Sequence, residues 1–264
     1  MTGKLSSEDL RWTLPFCFAT FLYTTFQHPH DEVTFKACLT KAAPIVALAI
    51  FVLQRGVCIP SRSRQSLCIL IGLLFSAAGD VFLQLSSLGY FLPGMLAFGA
   101  GHVSYILASG TRPAEWTIGF PILLAGFSYY LFLLPKVFDD KIFTVALLVY
   151  QLLICSMLWR TIVRYRVEKV TSAKKNESKS QKVERGKKLF WLMIAVCGAV
   201  SFVISDSCLA WHMFVEGLEH EKLIVMGTYY SAQLLISLSI LHEPVGKKAN
   251  SADKKSSAQK TAIK

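Results

Sequence analysis

Residues 66–85 read SLCILIGLLFSAAGDVFLQL, twenty positions with a single charge, Asp80. An α-helix rises about 1.5 Å per residue and a bilayer's hydrocarbon core is ~30 Å thick, so this stretch is long enough to span one. Seven further apolar stretches accompany it, at about 12–26, 37–54, 90–109, 116–134, 142–159, 189–211 and 222–241. The first is the shortest. Backbone polar groups cannot stay unpaired in lipid, and these runs are too long and continuous for barrel strands, so helices are expected. The expected fold is all-α, a polytopic membrane protein with eight transmembrane helices. A single helical domain should occupy residues 1–246.

Composition agrees with that reading. The 264 residues are 53% hydrophobic and only 17% charged, and the net charge of +11 is unevenly placed. Residues 160–188 carry +8 and residues 247–264 carry +5, which leaves the remaining body at −2. A basic loop at about 160–188 and a disordered Lys-rich tail at 247–264 are expected. The composition excludes intrinsic disorder of the body, a coiled coil and a disulfide-stapled secreted domain. The Lys runs lack interleaved aromatics, so no nucleic-acid partner is expected; basic flanks of membrane spans are the commoner cause. The first apolar run lacks a basic leader and an A-x-A-like site, so no removable signal peptide is expected. With the N-terminus cytoplasmic, Arg55, Arg62, Arg64, Arg112 and both basic stretches lie on one side. Asp31, Glu32, Asp139, Asp140, Glu216, Glu219 and Glu221 then lie on the other. Both termini are therefore expected to be cytoplasmic, which hides the Asn176-Glu177-Ser178 sequon from glycosylation. The tail lysines would lie near anionic headgroups. Among the seven cysteines, Cys17, Cys38, Cys68, Cys155, Cys197 and Cys208 fall in or beside apolar runs without CxxC spacing and read as buried reduced thiols.

The functional signal is what does not belong in lipid. Ionisable groups inside membrane helices are costly and by default mark function. Two acids sit well inside predicted spans, Asp80 on the third and Asp206 on the seventh. Each lies about five residues, or ~8 Å, below the outer end of its segment. Two carboxyls at one depth can face a common cavity; each can also be a local structural pin. Ser76, Asp80 and Gln84 repeat every four residues, as do Tyr229, Gln233 and Ser237, with Tyr230 adjacent. His102 and Tyr105 share a face of the fourth segment, where Gly94, Gly99 and Gly101 permit close helix approach. Lys41 either snorkels to the interface, holds a lipid phosphate or pairs with an Asp. No HExxH or other His/Cys/Asp cluster at metal spacing occurs, and no GxSxG elbow or Walker loop, so neither a metal nor another cofactor is expected. The inventory permits acid catalysis by a carboxyl pair.

Leu73 to Asp80, Gly101-His102-Val103-Ser104-Tyr105, Phe202 to Ser207, and Thr228-Tyr229-Tyr230-Ser231-Ala232-Gln233 together resemble the lysoplasmalogenases, the YhhN-like integral membrane proteins. Lys41-Ala42-Ala43-Pro44 is similar to a basic-plus-proline element there. The resemblance runs from about residue 37 to 241, in order and in spacing. It implies an eight-helix hydrolase of the vinyl ether bond of lysoplasmalogens, releasing a fatty aldehyde and glycerophosphoethanolamine or glycerophosphocholine. It also implies an endoplasmic reticulum location, no added cofactor, and a lysophospholipid substrate drawn from membrane lipid. A homo-oligomer stays open. In this reading Asp80 and Asp206 are catalytic, as acid and as base and cation stabiliser. Lys41, His102, Tyr105, Tyr229, Tyr230 and Gln233 orient them or bind substrate. Two other classes fit a membrane Asp pair. An intramembrane aspartyl protease shares the Gly79-Asp80 element but would need Tyr-Asp and Pro-Ala-Leu elements that are absent. A proton-coupled carrier would relay protons through the same acids, but no repeated half with broken helices is evident.

Overall fold

The computed structural model describes residues 7–26, 33–57, 64–173 and 178–242. All regular structure among them is helical: α1 (Ser7–Phe26), α2 (Phe35–Val52), α3 (Arg64–Gln84), α4 (Phe91–Ser109), α5 (Trp116–Val137), α6 (Lys141–Ala173), α7 (Lys179–Phe214) and α8 (Glu221–Leu238). One π-helical turn, Leu53–Val57, extends α2. The eight helices match the eight apolar stretches. Seven of them, α2 to α8, are long and apolar enough to cross a membrane. α1 falls short because its first turns carry Glu8, Asp9 and Arg11.

Local chemistry starts and stops these helices. The Thr34 hydroxyl accepts the Ala37 amide at the start of α2 (3.1 Å). Gly89, at φ +87°, closes the turn that sends α4 back beside α3. Ser178 and Gln181 form a reciprocal capping box at the start of α7. That box is one reason the basic stretch differs from the expected loop at 160–188. α6 runs on to Ala173 and α7 already begins at Lys179, with Lys188 bridging to Glu168 across the two helices (2.8 Å). Arg160 donates to the Gly110 and Pro113 carbonyls (2.7 and 2.6 Å), and Arg164 donates to the Ala108 carbonyl (2.6 Å). These two cations therefore bind the end of α4 and its loop to α6 rather than lying solvated. The 247–264 tail and Asn176 lie outside the described residues.

Packing follows the chain. α3 lies along α4 and α7 along α8, while α6 packs on α4, α5 and α7. α8 returns to α2 and α3, closing a ring α2–α3–α4–α6–α7–α8 flanked by α1 on α2 and by α5 on α6. The main core sits inside this ring, around Ile45, Leu48, Phe51, Ile69, Leu73 and Phe202. Outward faces are apolar: Trp116, Phe120, Leu124, Phe127 and Leu131 leave one stripe of α5 uncovered, a surface suited to hydrocarbon. Cys68 and Cys155 are buried, whereas Cys17 and Cys197 face outward, against the expectation of burial; an apolar thiol needs no shelter where the surroundings are apolar. The six described cysteines are free.

Candidate active site

Close approach of α3 and α4 begins the site. A Cβ on Gly72 would lie 2.3 Å from the Tyr105 ring, and one on Gly79 would lie 2.7 Å from the Phe98 ring. Those two glycines let the aromatic side chains of α4 lie flat on α3, beside Asp80. Asp80 is only 1% exposed and accepts a hydrogen bond from the Tyr229 hydroxyl of α8 (2.9 Å). One layer further in, the Tyr105 hydroxyl donates to Gln233 Oε1 (2.7 Å). On α2, Pro44 supplies no amide to the Thr40 carbonyl, and the neighbouring Lys41 carbonyl accepts from the Tyr230 hydroxyl (2.8 Å). Edge contacts from Phe16 and Tyr23 of α1 hold the Tyr230 ring in place.

Asp206 has its own set of partners. The Tyr150 hydroxyl of α6 donates to Asp206 Oδ2. His102 Nε2 lies 3.2 Å from the same hydroxyl and 3.8 Å from Asp206 Oδ2. The His102 ring is fully buried (0% exposed), edge-on to Phe202 at 4.7 Å between centroids, and its Nδ1 has no hydrogen-bond partner among the described residues. The Asp206 side chain is 19% exposed and opens inward on a cavity. α7 continues to Phe214, so Asp206 lies eight residues before the end of its helix, deeper than expected.

Asp80 and Asp206 line the same cavity, of about 270 Å³, and are close enough for their charges to interact. Lys41 also lines it, 3% exposed, and its ammonium makes no hydrogen bond or ion pair with a described residue. The apolar wall includes Phe91, Met95, Phe98, Leu147, Leu209 and Val225. The sequence-predicted residues thus separate into layers. Lys41, Asp80, Asp206 and Tyr229 face the cavity; His102 and Tyr230 brace them from behind; the Tyr105–Gln233 pair lies deeper. Sequence reasoning missed Tyr150, Gln151 and Glu221, all of which line the cavity. The first two had a signal: Tyr150-Gln151 interrupts the apolar run Leu147 to Ile154. Glu221 had none, because at the start of α8 it reads as one more loop acid.

Chemically the chamber is small and mostly apolar, with three carboxyls (Asp80, Asp206 and Glu221), one ammonium, and phenols that hold the two aspartates. Among the described residues no three His, Cys, Asp or Glu side chains gather as a metal site would require. Such a chamber can donate a proton to a substrate and stabilise the cation that results.

Comparison with known proteins agrees with the residues. The family model described as the YhhN family matches residues 36–240. The chain is 32% identical over 244 residues to lysoplasmalogenase TMEM86B of Sus scrofa, covering 91% of this chain and 92% of the relative. It is 33% identical over 237 residues to lysoplasmalogenase TMEM86B of Homo sapiens (90% and 89% covered) and 31% identical over 235 residues to lysoplasmalogenase TMEM86A of Bos taurus (88% and 90% covered). No solved structure matches it. By the extent of the family match, over residues 36–240, the chain belongs to the YhhN family.

Proposed function

We propose that this protein is an enzyme, a lysoplasmalogenase, hydrolysing the vinyl ether bond of a lysoplasmalogen by acid catalysis with Asp80 and Asp206. The observation that carries the reading is the shared cavity: two acids remote in sequence line one apolar chamber with a buried lysine. The names of the relatives support the reaction class.

A vinyl ether is cleaved when a proton is added to the alkene carbon that does not bear the ether oxygen. The C=C electron pair forms the new C–H bond, and the positive charge moves to the adjacent carbon and the ether oxygen as an oxocarbenium ion. Water attacks that carbon and loses a proton, giving a hemiacetal. The hemiacetal collapses to a fatty aldehyde and the free glycerol hydroxyl. Protonating carbon needs an acid held near the alkene, and a carboxyl removed from water keeps its proton to higher pH than one in solvent. The second carboxyl, ionised, stabilises the cation and takes the proton from water, a division of labour also used by paired carboxyls in glycosidases. Asp80 and Asp206 share these two roles. Tyr229 orients Asp80, and Tyr150 with His102 orients Asp206. Lys41, with its ammonium open to the chamber, receives the lipid phosphate. The same reading makes the protein a single multi-pass domain of the endoplasmic reticulum membrane, with both termini cytoplasmic.

The test is direct. Purified protein is incubated with ethanolamine and choline lysoplasmalogens and with a saturated-ether control. Aldehyde should appear from the vinyl ethers alone. Asp80→Asn and Asp206→Asn should each lower kcat by about 10²–10⁴-fold. Wild-type rates in either variant would reject the pair.

A further inference from the structure

The chamber is too small for the whole of the proposed substrate. Its volume of about 270 Å³ lies below the ~300–1,000 Å³ usual for sites that enclose drug-sized ligands. A lysophospholipid carries both a polar head and a long hydrocarbon chain. The alkene that reacts is the first bond of that chain. Once it lies against Asp80 and Asp206, the carbons beyond it must leave the chamber from beside the acids.

A second space adjoins the chamber near that point. α1 packs along α2, and between α1 and α8 there is a crevice of about 230 Å³. Phe16, Tyr23, Met226 and Tyr230, all buried, make its floor, and the Tyr230 hydroxyl is spent on the Lys41 carbonyl. Its rim at Leu223, Gly227 and Ser231 is exposed, on a helix long and apolar enough to cross a membrane. Met226 is the one described residue that lines both the crevice and the chamber. It stands three residues, about one helical turn, before Tyr229, whose hydroxyl holds Asp80. Tyr23 is also near enough for its hydroxyl to feel the Asp80 carboxylate. A methionine side chain is unbranched and turns about several bonds, so Met226 can swing aside where a β-branched residue could not.

We propose that the crevice between α1 and α8 holds the hydrocarbon chain of the lysophospholipid substrate, and that Met226 is the gate between crevice and chamber. This rests on the proposed lysoplasmalogenase reading for what the substrate is. Head group and alkene then occupy the chamber, while the remaining carbons pass Met226 and lie against Phe16 and Tyr23. α1, the one helix that is not apolar enough to count as a span, thereby forms a wall of the substrate site. Gly227 keeps the crevice open: nothing lies within 4 Å of where its Cβ would stand. A larger side chain at that position therefore enters free space and competes with the chain, without displacing the protein.

The experiment compares 1-hexadecenyl- and 1-butenyl-glycerophosphoethanolamine, the second too short to reach past Met226, with full-length wild type, Gly227→Leu and Gly227→Trp. The protein is kept in digitonin, a detergent without a fatty chain. Gly227→Trp should lower kcat/KM for the hexadecenyl lipid about tenfold more than for the butenyl lipid, and Gly227→Leu should act in the same direction but less. An equal loss on both lipids, or none, overturns the proposal. So does a change of oligomeric state in Gly227→Trp with the ratio kept, which would mark the crevice as a contact between copies. Binding is read separately with the saturated 1-hexadecyl and 1-butyl analogues, which cannot be cleaved. In Gly227→Cys the hexadecyl analogue should protect the new thiol from maleimide, measured by peptide mass spectrometry, and the butyl analogue should not. Protection by neither, or by both alike, overturns the proposal. If wild type released no aldehyde from any vinyl ether, the proposed function would fail, yet protection by the long analogue alone would still uphold the crevice as the chain site.

Discussion

Tyr150 donates a hydrogen bond to the carboxylate of Asp206 across 56 positions of sequence, joining α6 to α7 at the cavity wall. The same hydroxyl lies 3.2 Å from His102 Nε2, so one phenol links α4, α6 and α7 beside Asp206. Tyr229 and Asp80 repeat the arrangement between α8 and α3. Each acid of the pair thus has its own phenolic donor on a separate helix.

Tyr150→Phe removes the donor and preserves the ring. A hydrogen bond to a charged group contributes about 1.5–3 kcal/mol, so kcat should fall about 10- to 100-fold. KM should change little if Tyr150 acts only by orienting the proposed acid pair, since its hydroxyl bonds Asp206. Aldehyde release at saturating and limiting substrate separates the two effects.

Proton addition to carbon leaves an isotopic mark. When the reaction runs in D2O, the aldehyde should carry one deuterium on the carbon next to its carbonyl, measured by mass spectrometry of a rapidly trapped product. Unlabelled aldehyde would rule out carbon protonation. The pH dependence of kcat/KM should be bell-shaped. Activity declines at high pH as the acid loses its proton, and at low pH as its partner gains one.

The Asn variants should not add. If Asp80 and Asp206 act as one unit, Asp80→Asn/Asp206→Asn should be scarcely slower than the worse single variant. Independent structural pins would instead multiply their effects. Steady-state rates of the three variants decide.

Gly72→Ala places a methyl group where the Tyr105 ring now lies, 2.3 Å from its nearest carbon. The ring must move, which strains the Tyr105–Gln233 bond and the contact of α3 with α4. A cost of about 1–3 kcal/mol is expected from overpacking, seen as a lower Tm in detergent. Gly89→Ala, at a left-handed turn with open space around it, should cost less packing and act through backbone strain alone.

Arg55 tests the seat of α1. Its guanidinium donates to Asp9 through Nε (2.9 Å) and reaches Glu8 (3.2 Å), joining the end of α2 to the start of α1. Arg55→Ala should lower stability by about 1–3 kcal/mol, and Arg55→Lys should recover only part of it, because an ammonium cannot reproduce the planar fork. Thermal unfolding monitored by circular dichroism measures both.

Much of the fold was legible before any coordinate. Apolar run length alone marks helices, since no other unclosed backbone satisfies its hydrogen bonds in hydrocarbon, and the eight runs became eight helices. The ends were less legible. The α7 capping box and the Lys188–Glu168 bridge carry helix into a stretch whose charge reads as loop, because charge density reports solvation and not backbone state. Arg160 and Arg164 read as topology signals, yet they bind carbonyls at the end of α4, partners that exist only once α6 lies against it.

Read along the chain, Lys41, Asp80, His102 and Asp206 stand out as costly in a membrane because the residues around them are apolar. Which of them share a space depends on how the helices pack. Depth along a helix follows from counting residues, but the direction a side chain faces depends on which neighbours the helix packs against, and that is set by glycine contacts such as Gly72 on Tyr105 and Gly79 on Phe98. Glu221 is the plainest case: in one dimension it is an ordinary acid between a loop and a helix, and it joins the chamber only because α8 folds back against α2, α3 and α7.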